Sequence, residues 1–207
     1  FATLENADGF VRELRGSQLI PSSVEILNGL AAQTMGYSMP PNGNYLVAVG
    51  LEGVAESIDR QISEMSEMGE KHGTLEAVTL DAEKHQAFWV ALRDFASGLT
   101  DDYSNVISMK SNFLISKCGE VLGSYEKVAQ ELGIHCAFIS HAGNGILYSY
   151  VLPGKGFRSK VDSFVELIGK LTAEAVKNGG GLVVESSPLS VKKKLDVWGA
   201  SRSDYVV

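Results

Sequence analysis

Residues 135–152 read His-Cys-Ala-Phe-Ile-Ser-His-Ala-Gly-Asn-Gly-Ile-Leu-Tyr-Ser-Tyr-Val-Leu. Two apolar runs, His135–Ser140 and Ile146–Leu152, flank the turn-forming sequence Ala-Gly-Asn-Gly. Short apolar runs rich in β-branched and aromatic residues favour strands, and glycine and asparagine accept the backbone conformations of a tight turn. The segment therefore predicts a β-hairpin, with His141 where the first strand enters the turn.

Five further runs of the same kind predict more strands on either side of this hairpin. Turn-forming sequences separate the runs, such as Pro-Pro-Asn-Gly-Asn at 40–44 and Pro-Gly-Lys-Gly at 153–156. With the two strands of the hairpin, the sequence predicts about seven strands. The five runs are Val24–Leu27, Tyr45–Leu51, Ala77–Leu80, Val106–Ile115 and Gly181–Glu185.

Four segments carry apolar residues at the spacing of an amphipathic helix. The stripe of the first includes Val54, and that of the second includes His85. Strands and helices in this order favour an α+β fold, with a mainly antiparallel sheet covered by helices. The order also suggests two ferredoxin-like halves within a single domain over 1–207, divided near 98–103. The four helical segments are 53–68, 82–97, 117–132 and 158–177.

The composition is that of a globular protein and excludes several classes of function. Of the 207 residues, 44% are hydrophobic and 21% charged, and the net charge is −7. This negative charge argues against a nucleic-acid or anionic-membrane surface, which needs a basic patch. No apolar run approaches the roughly 18 residues of a membrane span, and no secretory signal opens the chain. Cys118 and Cys136 make neither a disulfide framework nor a zinc site, so we expect a cytoplasmic protein with reduced thiols.

The glycines do not form a dinucleotide-binding loop. Such a loop follows a strand and opens a helix, so that backbone N–H groups meet the diphosphate. The glycine run Gly179–Gly181 follows a predicted helix and precedes a predicted strand, which is the reverse order. A helix C-cap followed by a loop is the better interpretation.

His141 is the histidine that the sequence singles out. It ends an apolar strand and enters a turn that contains glycine, where a side chain can project into a cleft and another group can approach closely. His72, His85 and His135 have no comparable setting. A histidine bound to the backbone at the rim of the hairpin is the alternative interpretation.

Residues 141–148, His-Ala-Gly-Asn-Gly-Ile-Leu-Tyr, are similar to the motif His-Ala-Gly-Asp-Gly-Asn-Leu-His of FAD-linked oxidases of the vanillyl-alcohol oxidase and glycolate oxidase type. Other segments resemble the same family in the same order along the chain. Two of them, 180–185 and 194–199, are particularly like the glycolate oxidase members. The remaining segments are 19–28, 44–53 and 109–111.

The resemblance implies the C-terminal cap domain, which lies over the flavin ring and contacts substrate while an N-terminal domain holds FAD. The chain matches the cap alone, so we expect the FAD-binding domain to be absent from it. On this reading the isolated chain binds no FAD and is inactive. In the intact protein we expect FAD as the cofactor, the FAD-binding domain and other oxidase subunits as partners, and a small 2-hydroxy acid such as glycolate as the substrate.

The resemblance also assigns site residues. His141 matches the first histidine of the motif, which implies a hydrogen bond to substrate or flavin, or acceptance of a proton from a hydroxyl group. Asn144 takes the place of the motif aspartate, beside the cofactor. Lys110 matches a basic strand position that pairs with a substrate carboxylate. Glu185 falls near a glutamate of the family, and Tyr148 replaces the second histidine. We therefore expect Lys110, Tyr148 and Glu185 to bind substrate on one face of the sheet, beside His141.

No metal site is expected from the sequence. Metal-using relatives combine both motif histidines with the later glutamate, a donor set that suits a divalent ion. Tyr148 is a poor neutral ligand in place of the second histidine. The same replacement favours a second hypothesis, in which the chain is a catalytically silent subunit-interaction domain within a multi-subunit oxidase.

Overall fold

The strands form one antiparallel sheet. The computed structural model describes residues 1–102, 105–152 and 157–197, and within them six strands pair in the order β2-β1-β4-β5-β3-β6. Every neighbouring pair is antiparallel. The strands are β1 Ser23–Asn28, β2 Tyr45–Gly50, β3 Ile107–Asn112, β4 Cys136–His141, β5 Ile146–Val151 and β6 Gly181–Ser186.

Helices connect the strands and account for about half of the chain. Two short 3-10 helices, Ile115–Lys117 and Phe157–Lys160, precede longer α-helices. In the described part of the chain, no helix has the length and apolar content to cross a membrane. The α-helices are α1 Leu4–Gly16, α2 Gly29–Thr34, α3 Ala55–Lys71, α4 Ala82–Arg93, α5 Phe95–Asp102, α6 Cys118–Glu131, α7 Val161–Lys177 and α8 Leu189–Lys192.

Long helices cover one face of the sheet, which we call the helix face. Alternate strand residues point to this face and are fully buried against apolar side chains of α1, α6 and α7. Tyr125 of α6 links these layers through its hydroxyl group, which donates to the Leu171 carbonyl at 2.9 Å and lies 2.7 Å from Ser111 Oγ. The buried strand residues include Ile26, Met109, Phe138, Leu147 and Leu182.

The opposite face of the sheet is covered only in part, and we call it the open face. Helices α2 and α5 contribute Ala31, Phe95 and Leu99 to a smaller apolar cluster. This cluster packs on strand residues that alternate with those of the helix face. Outside it, the open face carries the half-exposed side chains of His141, Tyr148 and Lys110. The strand residues in the cluster are Leu27, Ala137, Ile139 and Tyr150.

The predicted α+β class and the mainly antiparallel sheet are confirmed, but the predicted strand at Ala77–Leu80 is wrong. These residues have no regular structure and pair with no strand of the described sheet. Val78 is 70% exposed, because the run crosses the surface between α3 and α4. The suggested division near 98–103 stays a prediction, and residues 103–104 and the turn at 153–156 lie outside the described residues.

The predicted helices are present with different limits. The segment 82–97 is two helices, since α4 ends at Arg93 and the chain bends at Asp94 before α5 begins. Four residues assigned to buried stripes are exposed. Val54 lies at the N-cap of α3 and is 69% exposed, and His85 lies on the outer side of α4. The other two are Ala96 and Val176. Helix α1 was not predicted, although Thr3 caps it by accepting a hydrogen bond from the Asn6 N–H.

The glycine run at 179–181 ends α7 and starts β6, as its position in the sequence predicted. Gly179 has a φ of +81°, which is the left-handed conformation common after a helix. Gly180 passes so close to β3 that a Cβ atom there would lie 1.5 Å from the Asn112 carbonyl oxygen. The run therefore serves close backbone packing at the edge of the sheet.

We expect Gly180→Ala to lower the free energy of unfolding by more than about 3 kcal/mol, because the added methyl group must separate β3 from β6. The matched control is Gly169→Ala on the exposed side of α7, where a Cβ atom meets nothing within 4 Å. Alanine there should raise the stability by about 1 kcal/mol, since it favours the helix. Urea unfolding of both variants measures this, and equal stabilities would contradict the described packing.

Candidate functional site

Strand register brings three of the predicted site residues together on the open face. Lys110 of β3 is the direct cross-strand partner of Tyr148 on β5. Tyr148 is in turn the partner of Ile139 on β4, two residues before His141. Residues two apart on a strand share a face, so His141 lies diagonally beside Tyr148 on the central pair of strands.

The three side chains are in contact through the ring of Tyr148. The His141 and Tyr148 rings meet edge to face, with centroids 5.2 Å apart and planes at 86°. Lys110 Nζ lies 5.4 Å from the centroid of the Tyr148 ring, within the range of a cation–π contact. Tyr148 also stacks on Tyr150 at 6.3 Å, and Phe95 packs against Tyr150. The phenol ring is therefore held in place between an ammonium group and an imidazole.

A fourth residue of this site, Glu25, was not singled out in the sequence. It lies on β1 directly opposite His141 on β4, and its Oε2 atom is 2.6 Å from His141 Nδ1. The Glu25 side chain is 7% exposed, whereas the His141 side chain is 30% exposed. The carboxylate therefore lies behind the imidazole, between it and the interior. An acidic residue in the apolar strand Val24–Leu27 was the available signal.

Burial is the main influence on the Glu25 carboxyl group. It raises the pKa of Glu25 above the ordinary value for a glutamate, and the neighbouring His141 opposes this rise. Oε2 is fully enclosed, and the short contact with His141 Nδ1 is the polar contact that this atom makes in the described structure. A buried carboxylate in this state costs stability, which makes Glu25 a candidate for function.

The other two predicted site residues lie at the margins of this group. Glu185 is exposed on β6, where the pairing with β3 shifts register between Ser108 and Met109. Its charge acts on the site at a distance: after burial, it is the next cause that raises the pKa of Tyr150. Asn144 is exposed in the turn after His141, and its N–H donates to the His141 carbonyl at 3.1 Å.

Within the described residues, the site combines an ammonium group, a phenol, an imidazole and a buried carboxyl group. Across the described ranges, no three histidine, cysteine or acidic side chains are arranged to hold a metal ion. The glycine run at Gly179–Gly181 packs against the Asn112 carbonyl instead of leaving room for a phosphate. The half-exposed ring of Tyr148, the imidazole of His141 and the Asn144 amide fit contact with a flat polar ring. They do not fit the phosphate part of FAD.

The fold and the site define an α+β domain that carries a lysine, a tyrosine and a histidine in contact on the open face of its sheet. A family model described as FAD linked oxidases, C-terminal domain, matches residues 1–185. The chain therefore belongs to the C-terminal domain family of the FAD-linked oxidases, which makes FAD the cofactor of the intact protein. No curated protein matches the chain.

The turn that carries His141 depends on a glycine at position 145. Gly145 has a φ of +70°, and a Cβ atom there would lie 2.5 Å from the Phe113 carbonyl oxygen. We expect Gly145→Ala to lower the free energy of unfolding by about 2–3 kcal/mol and to displace His141. Gly143→Ala is the control, since a Cβ atom at 143 meets nothing within 4 Å. Thermal unfolding of the two variants tests this, and an unchanged Gly145→Ala protein would contradict it.

Proposed function

We propose that this chain is the substrate-side domain of an FAD-dependent oxidoreductase that oxidises a small 2-hydroxy acid such as glycolate. The observation that carries the proposal is the contact of Lys110 and His141 with the same Tyr148 ring. An ammonium group and a potential base thus contact the same phenol ring. A 2-hydroxy acid needs the same pair, because its carboxylate and its hydroxyl group are on adjacent carbons.

Lys110 supplies the charge for the substrate carboxylate. The chain carries a net charge of −7, which opposes the approach of an anion, so a local positive group is required. Lys110 is half-exposed and lies over an aromatic ring, where it is less hydrated than a free surface lysine. The ammonium group can therefore exchange water for a carboxylate at small cost.

His141 accepts the proton of the substrate hydroxyl group, and the Tyr148 hydroxyl group hydrogen-bonds the substrate between His141 and Lys110. Histidine suits this role because an imidazole can take up and release a proton near neutral pH. We also assign Glu185, which lies on β6 next to the strand of Lys110, to the substrate-binding residues. Its negative charge would repel a second carboxylate on the substrate, so the proposal favours monocarboxylic acids.

FAD supplies the acceptor for the hydride when it is bound in the intact protein. The chain's own contribution is to bind and orient the substrate and to hold its proton. Asn144, at the tip of the turn beyond His141, is the residue that we assign to contact with the flavin. Because the glycine run at 179–181 packs against β3 and leaves no room for a diphosphate, a separate FAD-binding domain is the proposed partner.

The second candidate function is a catalytically silent interaction domain within a multi-subunit oxidase. Two observations favour it: Tyr148 stands where the family motif has a histidine, and large apolar side chains are exposed near the site. Ile20, Val54 and Leu114 lie in loops that leave the sheet at the same end as His141, and all three are more than half exposed. Such side chains suit a protein interface.

Substituting Lys110 in the full-length protein separates the two functions. With glycolate and a dye as electron acceptor, we expect Lys110→Ala to raise KM about 10- to 100-fold, because a charge-assisted hydrogen bond is lost. Lys110→Arg keeps the charge and is the control, with a smaller increase. A flavin-containing wild-type protein that oxidises no 2-hydroxy acid would contradict the enzymatic proposal and favour the interaction domain.

The isolated 207-residue chain should retain no flavin after purification. The physical reason is that its glycine run packs against β3 and leaves no cradle for a diphosphate. Visible absorbance and protein concentration measure the flavin content, with the full-length protein as the positive control. Stoichiometric yellow flavin on the isolated chain would contradict the expectation.

A further inference from the structure

Glu25 is the buried acidic side chain of the open face. The titratable partner that the described structure gives it is His141, whose Nδ1 atom lies 2.6 Å from Oε2. The other buried carboxylate of the core, Asp8, forms an ion pair with Arg12 at 2.8 Å and lies against Gly119 at the start of α6. Asp8 thus has a structural explanation, whereas Glu25 has none apart from the histidine that it contacts.

The contact fixes which side of the imidazole ring faces the substrate. Nδ1 points to Glu25, which is 7% exposed, and the ring itself is 30% exposed. The edge-to-face contact with Tyr148 holds the ring plane. Since the two ring nitrogens lie on different sides of the imidazole, Nε2 is directed away from Glu25 and toward the open face.

The distance between Glu25 Oε2 and His141 Nδ1 also limits where a proton can lie. Two lone pairs would repel each other at 2.6 Å, so either Nδ1 or the carboxyl group carries a proton. With this proton on Nδ1, the neutral imidazole keeps its lone pair on Nε2. Nε2 can then accept a proton from a bound molecule, while the carboxylate stabilises the resulting imidazolium.

We propose that Glu25 is a positioning residue, which holds His141 with Nδ1 protonated and Nε2 free to act as the base. The inference rests on the proposed oxidation of a 2-hydroxy acid. In that reaction the O–H bond of the substrate breaks and its proton goes to Nε2. FAD, when bound in the intact protein, would accept the hydride from the carbon that bears the hydroxyl group, and a 2-oxo acid forms. Nε2 later releases the proton to water.

The test is Glu25→Gln in the full-length flavoprotein. Glutamine keeps the size of the side chain, but its amide group can donate to Nδ1, which would shift the imidazole proton to Nε2. We expect kcat to fall on the order of 100-fold, because the base is lost. The KM for glycolate should change less than about threefold, which corresponds to under 1 kcal/mol, since Lys110 makes the proposed contact with the substrate carboxylate.

The tautomer of His141 is a second, independent measurement. Nitrogen-15 NMR of labelled histidine should show the inverted tautomer in Glu25→Gln, and His141→Gln assigns the signal.

Two further variants make the result specific. Glu13→Gln is the matched control, because Glu13 contacts His72 Nε2 at 2.7 Å on the surface between α1 and α3. It should leave kcat and the His141 tautomer unchanged. Glu25→Asp keeps a carboxylate and should retain the wild-type tautomer with partial activity. If Glu25→Gln fails to fold, the tautomer and activity of Glu25→Asp still test the positioning role.

Separate outcomes decide the two proposals. A Glu25→Gln protein with the wild-type tautomer and kcat within threefold of wild type would overturn the positioning role, as would a Glu25→Asp protein with the inverted tautomer. The third outcome combines an inverted tautomer in Glu25→Gln with a wild-type protein that oxidises no 2-hydroxy acid. It would support the positioning of His141 by Glu25 and overturn the proposed function instead.

Discussion

The backbone pairing of β4 with β5 is the interaction on which the other strands depend. β4 binds β1 on its outer side, and β5 binds β3, so the register of this hairpin sets the register of four strands. A slip by one residue would exchange His141 and Tyr148 for Ser140 and Leu147 on the open face, because side chains alternate along a strand. The close approach of Gly145 to β3 opposes such a slip.

The sequence predicted best those elements whose apolar residues alone determine which side chains are buried. The hairpin at 135–152 has two apolar runs, buried over most of their length, around glycine-containing turn residues, and the stripe of α6 ends on the helix face. The apolar run at 77–80 has the same local pattern as a strand, but it has no neighbour with which to pair. A strand is stable only when its N–H and C=O groups find partners, and local sequence does not contain that information.

In the site, too, local sequence does not tell which residues come together in the fold. Lys110, Tyr148 and His141 were predicted from the resemblance to a family motif, and the register explains why they meet. Glu25 is more than one hundred residues from His141 along the chain, and its importance follows from the pairing of β1 with β4. The sequence itself shows only that Glu25 is an acidic residue within an apolar strand. Long-range register is the physical information that the sequence pattern lacks.

The placement of the charges agrees with the direction of the proposed proton transfer. Glu25 lies behind His141 and Lys110 lies beyond Tyr148, so the uncharged phenol separates the imidazole from the ammonium group. A carboxylate bound at Lys110 offsets the lysine charge before His141 becomes positive. The new positive charge then arises 2.6 Å from a carboxylate and farther from the lysine. A second histidine at position 148, when protonated, would add repulsion at the centre of the site, and tyrosine avoids this while still offering a hydrogen bond.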